Sequence, residues 1–329
     1  MPIINSDFKP AWWVKNPHLQ SLWAKVFRDR TSIELLSERI ELADGDFLDV
    51  FKTTEIVDKP IVVILHGLEG CIESHYAKPL IKTLDEAGYA VYFMHFRGCS
   101  GEPNRLPRSY SSNNSADLQA VIDEIKNQHH RDPFAVIGFS LGGSVVLKWL
   151  GEQANSVNTT LGVAVSVPFK LKDAALKLES GFSRIYQSYL VKCCKRKFHQ
   201  KEQYLSSSLS SNLNINIDEL NTFYEFDDKI TAPLNGFKNA DDYYDKCSSR
   251  QFLKSISKPT LILHAKDDPF MWEHSAPQEH ELSKDVSLEL TEQGGHVGFI
   301  SGKYPWKAEY WLDQRILLCL NDQRKKLFK

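Results

Sequence analysis

Ser140 stands at the centre of Gly138-Phe-Ser-Leu-Gly142, and the chemistry that such spacing serves is attack by a hydroxyl. A strand that turns sharply into a helix holds the central serine in a strained conformation. Small residues two before and two after it leave the turn room to close. The first free N–H groups of the helix then lie beside the hydroxyl, where they stabilise a developing oxyanion. A glycine–serine turn ahead of an ordinary buried helix has the same composition, so the flanks decide. Phe134 to Ile137 reads as a buried strand, and Leu141 to Leu150 is long and apolar enough for a helix packed on a sheet.

A serine hydroxyl is a weak nucleophile until a base takes its proton and a third group orients the base. Two loops offer these partners, each directly after a predicted strand. Val286 to Leu290 leads into Gln293-Gly-Gly-His-Val-Gly-Phe299, where glycines give a close-fitting loop that sets His296 against Ser140. The ten other histidines lack this setting. Thr260 to His264 leads into Ala265-Lys-Asp-Asp-Pro-Phe270, with two candidate acids. Asp268, directly before Pro269, is the choice for the acid, and Asp267 is expected to cap the turn. A third loop, His66-Gly-Leu-Glu-Gly70, follows the strand Ile61 to Leu65. It is expected to supply the Leu68 N–H as one oxyanion donor, beside that of Leu141. His66 reads as a structural residue that ties this loop down. No H-E-x-x-H run or phosphate loop competes, and the chemistry calls for neither cofactor nor metal.

The elements that must position these residues alternate. Ile61 to Leu65 is a β-branched run of the kind buried on both faces of a parallel sheet. Helix Ala77 to Ala87 with Gly88 as its stop, strand Ala90 to Met94, helix Ser115 to Gln128 and strand Gly162 to Val167 complete the rhythm. The pattern predicts an α/β fold with a mostly parallel, doubly wound sheet. The chain order Ser, Asp, His is that of the α/β-hydrolases. Asp44-Gly45 between Glu38 to Leu42 and Phe47 to Phe51 predicts a hairpin. The whole chain, 1–329, reads as one hydrolase domain. An aromatic arm at 1–30 packs its rings over the core, the core itself is 31–167 and 251–329, and residues 168–250 form a helical cap insertion. Within the cap, Leu171, Ala174, Leu178, Phe182, Ile185, Tyr189 and Cys193 recur at steps of three and four, an amphipathic stripe interrupted by Gly181. Lys192, Lys195, Arg196 and Lys197 read as the solvated end of that helix, where cations suit the dipole; a face for anionic lipid headgroups is the alternative. Ser206 to Asn216 reads as loop, and Trp306 to Leu320 as a closing helix.

With 42% hydrophobic and 25% charged residues in 329, the composition is that of a soluble globular protein. A net charge of −2 argues against a nucleic-acid partner. The six cysteines lack C-x-x-C spacing and give no disulfide framework, which suits a reducing cytoplasm. Neither a secretory leader nor an apolar run of the roughly 18 residues needed to span a bilayer is evident.

Several further runs fall into one familiar set. They are Phe8-Lys-Pro-Ala-Trp12 with Asn16-Pro-His-Leu-Gln20, the His66 to Gly70 loop, and Phe96-Arg-Gly-Cys-Ser-Gly101 with Asn104-Arg105. Gly138 to Gly143, Asp242-Tyr-Tyr244 with Ser248, and the Asp268 and His296 loops complete it. On these residues the chain resembles the YheT-like branch of the α/β-hydrolase superfamily, bacterial relatives of the eukaryotic abhydrolase-domain lipases and esterases. The resemblance implies a hydrolase of carboxylic esters with Ser140, Asp268 and His296 as its triad. One run departs from the family: Tyr110-Ser-Ser-Asn-Asn114 stands where a Tyr-His-Ser-Gly type is usual, which implies a different pocket shape. The expectation is therefore a cytoplasmic serine esterase that takes a small ester with an apolar acyl group. Acyl transfer by the same triad and a non-catalytic ligand-binding member of the fold are its rivals.

Overall fold

The structure, a computed structural model, describes residues 2–156, 158–202 and 216–327. Its organisation follows from strand β4 (Ile61–Leu65), in which every side chain is buried. Successive side chains of a strand point to opposite faces. Ile61, Val63 and Leu65 accordingly join one apolar cluster, and Val62 and Ile64 join another on the other face. A sheet of such strands needs a helical layer on each side.

Around β4 lie β1 (Ile3–Ile4), β2 (Leu35–Glu41), β3 (Phe47–Thr53), β5 (Ala90–Met94) and β6 (Ala135–Phe139). They are joined by β7 (Leu161–Val165), β8 (Thr260–Ala265) and β9 (Val286–Thr291). The nine run in the order β1-β9-β8-β7-β6-β4-β5-β3-β2. All neighbours are parallel except the β2–β3 hairpin and the β3–β5 pair. Helices α3 (Ser115–His129) and α4 (Leu141–Gln153) bury their apolar residues on one face. Helices α2 (Ala77–Glu86) and α8 (Trp311–Leu327) do so on the other. Among the described residues no helix is long and apolar enough to cross a membrane.

Between β7 and β8 the described residues, 166–202 and 216–259, are mostly helical. They run through α5 (Leu171–Leu178), α6 (Ser183–Glu202) and α7 (Ala240–Cys247), with several short turns between them. These pieces share a third apolar cluster, which includes Leu171, Leu178, Tyr186, Phe223 and Tyr243 and touches Leu68 and Phe270. Helix α1 (Pro17–Phe27), capped by the Asn16 side chain, stands apart from the sheet layers.

Four readings need correction. β7 ends at Val165 rather than Val167, because Ser166 leaves the strand at φ 52°. The strand before the serine is Ala135–Phe139, extended by its register against β7. No helix begins at Trp306: residues Ile300–Tyr304 and Lys307–Tyr310 pair as an antiparallel hairpin, β10 and β11, and α8 starts at Trp311. Past Gly181 the apolar stripe stays buried only at Cys193. That glycine, at φ 54°, separates α5 from α6, so the two helices share no common phase. Phe182, Ile185 and Tyr189 come out 51, 57 and 54% exposed. Of the predicted loop Ser206 to Asn216, only Asn216 lies within the described residues, where its side chain caps a short turn.

Candidate active site

The turn from β6 into α4 is set by contact distances. A Cβ added to Gly138 would lie 2.3 Å from the Gly142 carbonyl oxygen, and one added to Gly142 would lie 2.5 Å from that of His66. Neither position has room for a side chain. Between them Ser140 is held at φ 50°, ψ −117°, a conformation sparsely populated outside glycine. Its N–H donates to the Val165 carbonyl at 2.8 Å, which anchors the strained residue to β7.

His296 faces it from the loop after β9, and the pair meets at 3.0 Å between Nε2 and Oγ. The other ring nitrogen, Nδ1, lies 2.8 Å from Asp268 Oδ2. A carboxylate only accepts, so the imidazole proton sits on Nδ1 and donates to Asp268, leaving Nε2 to accept from the serine hydroxyl. Asp268 is almost wholly enclosed, with 1% of its side chain exposed against 11% for His296. Its second oxygen accepts from the Phe270 N–H at 2.8 Å, so Asp268 itself caps its turn. Asp267 does something else: it accepts the Gly295 N–H at 2.9 Å and pins the histidine loop. The expectation that Asp267 caps the turn is thus corrected. Burial raises the Asp267 carboxyl to about 6.

Several partners of His296 were not anticipated. Ser21 of α1 accepts the His296 N–H at 2.8 Å and donates in turn to the Pro17 carbonyl. Ser166, just past β7, accepts the Val297 N–H at 3.0 Å. The Phe270 ring lies flat on the imidazole, with centroids 4.0 Å apart. Gln20, fully buried, accepts from the Ile300 N–H and donates to the Val14 and Ile300 carbonyls. In the sequence, α1 is marked only by the Asn16 to Gln20 run that belongs to the family resemblance. The arm does carry rings onto the core, Phe8 against Phe299 and Trp311, while Trp12 is 69% exposed.

The loop after β4 closes the site from the other side. A Cβ on Gly67 would lie 3.1 Å from that of Ser140, so this loop abuts the serine. The Gly67 N–H donates to the Tyr76 hydroxyl, that of Glu69 to the Tyr110 hydroxyl and that of Gly70 to the Gly67 carbonyl. The N–H of Leu68 has no acceptor among the described residues. The Leu141 N–H opens α4, where no preceding turn exists to accept it. His66 is fully buried; it accepts the Phe96 N–H at Nε2, which puts its proton on Nδ1, 2.7 Å from the Gly67 carbonyl. Burial holds it down at about 3, so it stays neutral and structural.

Glu69 completes the loop. Its carboxylate accepts the Tyr110 hydroxyl at 2.6 Å and lies 3.1 Å from Lys197 Nζ of α6. Lys197 therefore turns inward, contrary to the reading of the basic cluster as a solvated helix end; Lys192 and Arg196 face outward. The Asp242-Tyr-Tyr244 run works as a staple. The Tyr243 hydroxyl accepts the Ser112 N–H, the Tyr244 hydroxyl donates to Asp227, and Ser248 accepts the Leu171 N–H. A cavity of about 380 Å³ lies beside Ser140 and His296, walled by Leu68, Leu141, Leu171, Leu178, Phe223 and Met271 among others. Among the described residues no cluster of three or more His, Cys, Asp or Glu is gathered to hold a metal ion.

Comparison with known proteins identifies the family and the fold. Residues 60–303 match the family described as alpha/beta hydrolase fold. "Putative esterase YheT" of Escherichia coli (strain K12) is 38% identical over 315 residues, spanning 95% of this chain and 92% of its own. "Phospholipase ABHD3" of Mus musculus is 28% identical over 321 residues, 94% of this chain and 77% of its own. Among solved structures, the Pyrococcus furiosus esterase Pf2001 superposes with a TM-score of 0.58 at 17% identity, covering 98% of this chain and 99% of that one. That last likeness is one of fold.

Proposed function

This chain belongs to the α/β-hydrolase family, and on that premise we propose that it is a serine hydrolase of carboxylic esters. The observation that carries the reading is the hydrogen-bonded line from Ser140 through His296 to Asp268, at 3.0 and 2.8 Å. Ser140 Oγ attacks the ester carbonyl while His296 Nε2 takes its proton. Asp268 holds the ring in that tautomer and stabilises the imidazolium. The Leu68 and Leu141 N–H groups receive the oxyanion. His296 then returns the proton to the departing alcohol, leaving an acyl group on Ser140. A water that gives its proton to His296 attacks this acyl-enzyme, the carboxylic acid departs, and the proton goes back to Ser140.

The acyl group is apolar in this reading, and the helical segment 168–250 acts as a cap over it. The leucine, phenylalanine and methionine walls of the cavity support that assignment, as do the names of the two relatives, an esterase and a phospholipase. We assign the enzyme to the cytoplasm, a reducing compartment that keeps its six cysteines as thiols. The test is hydrolysis of p-nitrophenyl esters of graded chain length by wild type and Ser140→Ala. Turnover should rise to an optimum chain length and fall at least about 10³-fold in the variant. A flat profile would refute the apolar acyl site, and unchanged turnover in Ser140→Ala would refute the nucleophile.

A further inference from the structure

Helices α1 and α6 bound a cleft that reaches Ser140 and His296, with Lys25, Val26, Tyr189 and Leu190 on its walls. Both helices leave large apolar side chains in solvent. On α1 these are Leu19, Val26 and Phe27, 53, 66 and 61% exposed; at and along α6 they are Phe182, Ile185 and Tyr189. One such residue is ordinary on a protein surface, whereas a contiguous group beside a cleft marks a contact surface. The two sets form one face. Lys25 Nζ sits 4.3 Å over the Tyr189 ring, the His18 ring packs 4.4 Å from that of Phe182, and His18 Nδ1 lies 3.2 Å from the Tyr186 hydroxyl.

The charge on the two helices has one sign before Glu202, and Glu73 on the far wall of the cleft is paired with Lys78. Lys25, Arg184, Lys192 and Arg196 are exposed, and none has a carboxylate within ion-pair distance among the described residues. Neither helix carries an acidic residue before Glu202, in a chain whose acids and bases are otherwise nearly balanced. Asp29 and Glu179, just outside the two helices, each have a cation within two positions, Arg30 and Lys177. A two-fold dimer through this face would set like charges against each other. An anionic bilayer suits it on both counts, with headgroup charge for the cations and an acyl boundary for the rings and branched chains.

We propose that the α1–α6 face docks on an anionic phospholipid surface, with the cleft to Ser140 opening toward the lipid. The inference does not rest on the ester chemistry, because binding is measured without turnover. The experiment is co-flotation of the full chain with vesicles of phosphatidylcholine, with and without phosphatidylglycerol. Wild type and Ser140→Ala should bind the phosphatidylglycerol vesicles alike, and added salt should release them. The pair Phe27→Ser with Ile185→Ser should bind at least about tenfold more weakly. Arg184→Glu with Lys192→Glu should lose a similar factor, and only for the anionic vesicles. Val57→Ser, at an 84% exposed site before β4 on the opposite end of the sheet, should bind like wild type. Thermal unfolding unchanged from wild type will show that the surface variants fold. Failure of wild type to bind the anionic vesicles would overturn the proposal. So would binding by folded surface variants within about twofold of wild type, or a salt-insensitive dimer that buries this face in place of vesicle binding.

Discussion

Ser140 and His296 meet at 3.0 Å, yet the two residues are held there by different means. The serine is positioned by its immediate neighbours. Gly138 and Gly142 interlock within hard contact distance, and the strained φ at Ser140 follows from that closure. The histidine is positioned from afar. Ser21, Ser166 and Asp267 come from three separate segments and accept three successive backbone N–H groups, those of His296, Val297 and Gly295. Phe270 stacks on the ring. A short-range steric lock is all or none; a set of distributed hydrogen bonds degrades by steps. The two halves of the site should therefore respond differently to substitution.

The largest effect distinguishes the two adjacent aspartates. Asp268→Asn should lower kcat by about 10³–10⁴-fold, because an amide at that position no longer selects the imidazole tautomer. Asp267→Asn keeps an oxygen that accepts from Gly295 and should stay within about tenfold of wild type. Equal losses would erase the division of labour between them. Next comes the steric lock. An alanine at 142 brings its methyl against the His66 and Leu65 carbonyls, which forces the backbone to shift. Gly142→Ala should cost about 10²-fold in kcat, as expected for a displacement of order 1 Å, and should lower Tm. A fully active Gly142→Ala would show that the turn is not sterically set.

Smaller still is the loss of one distant support. Ser21→Ala leaves the His296 N–H without its acceptor, and kcat should fall about tenfold with KM little changed. Ser21→Thr, which keeps the hydroxyl, should restore most of it. A change in KM alone would place α1 in substrate binding instead. The mildest effect is on stability. Burial raises Asp267 from an ordinary 3.8 to about 6 in the folded chain. A folded state that holds a proton more tightly is favoured at low pH. That contribution is present below about 4, is lost as pH rises from about 4 to 6, and is constant above. The Tm of wild type relative to Asp267→Asn should decline across that window, and a pH-independent difference would contradict the buried setting.

This contrast also explains what was legible in the sequence. β4 and β5 read correctly to the residue because each is a short apolar run with its own flanking turn, and a strand buried on both faces declares itself locally, while β6 and β7 were recognised with shifted ends. The sharp turn at Ser140 was legible for the same reason: glycine spacing is a local signal. The hydrogen bonds that hold the His296 loop were not. Nothing about Ser21 in a helix or Ser166 after a strand announces a partner 275 or 131 residues away. The hairpin after His296 escaped because Trp306 and its neighbours suit a helix as well as a strand, and pairing with Ile300–Tyr304 decides between them. On α6, three-and-four spacing across Gly181 suggested one continuous stripe. The break at that glycine instead turned Phe182, Ile185 and Tyr189 outward while Lys197 turned in to Glu69. Periodicity identifies a helix and its apolar side, but the neighbours that claim each face are set by tertiary packing.

We propose Ser140 as a nucleophile armed by His296. The most direct test is labelling with a fluorophosphonate probe followed by peptide mapping of the adduct in wild type, His296→Ala and Ser140→Ala. One adduct is expected, on Ser140 in wild type, slowed by at least about 10³-fold in His296→Ala and absent from Ser140→Ala. An adduct on another residue, or equal labelling of Ser140 with and without His296, would contradict it.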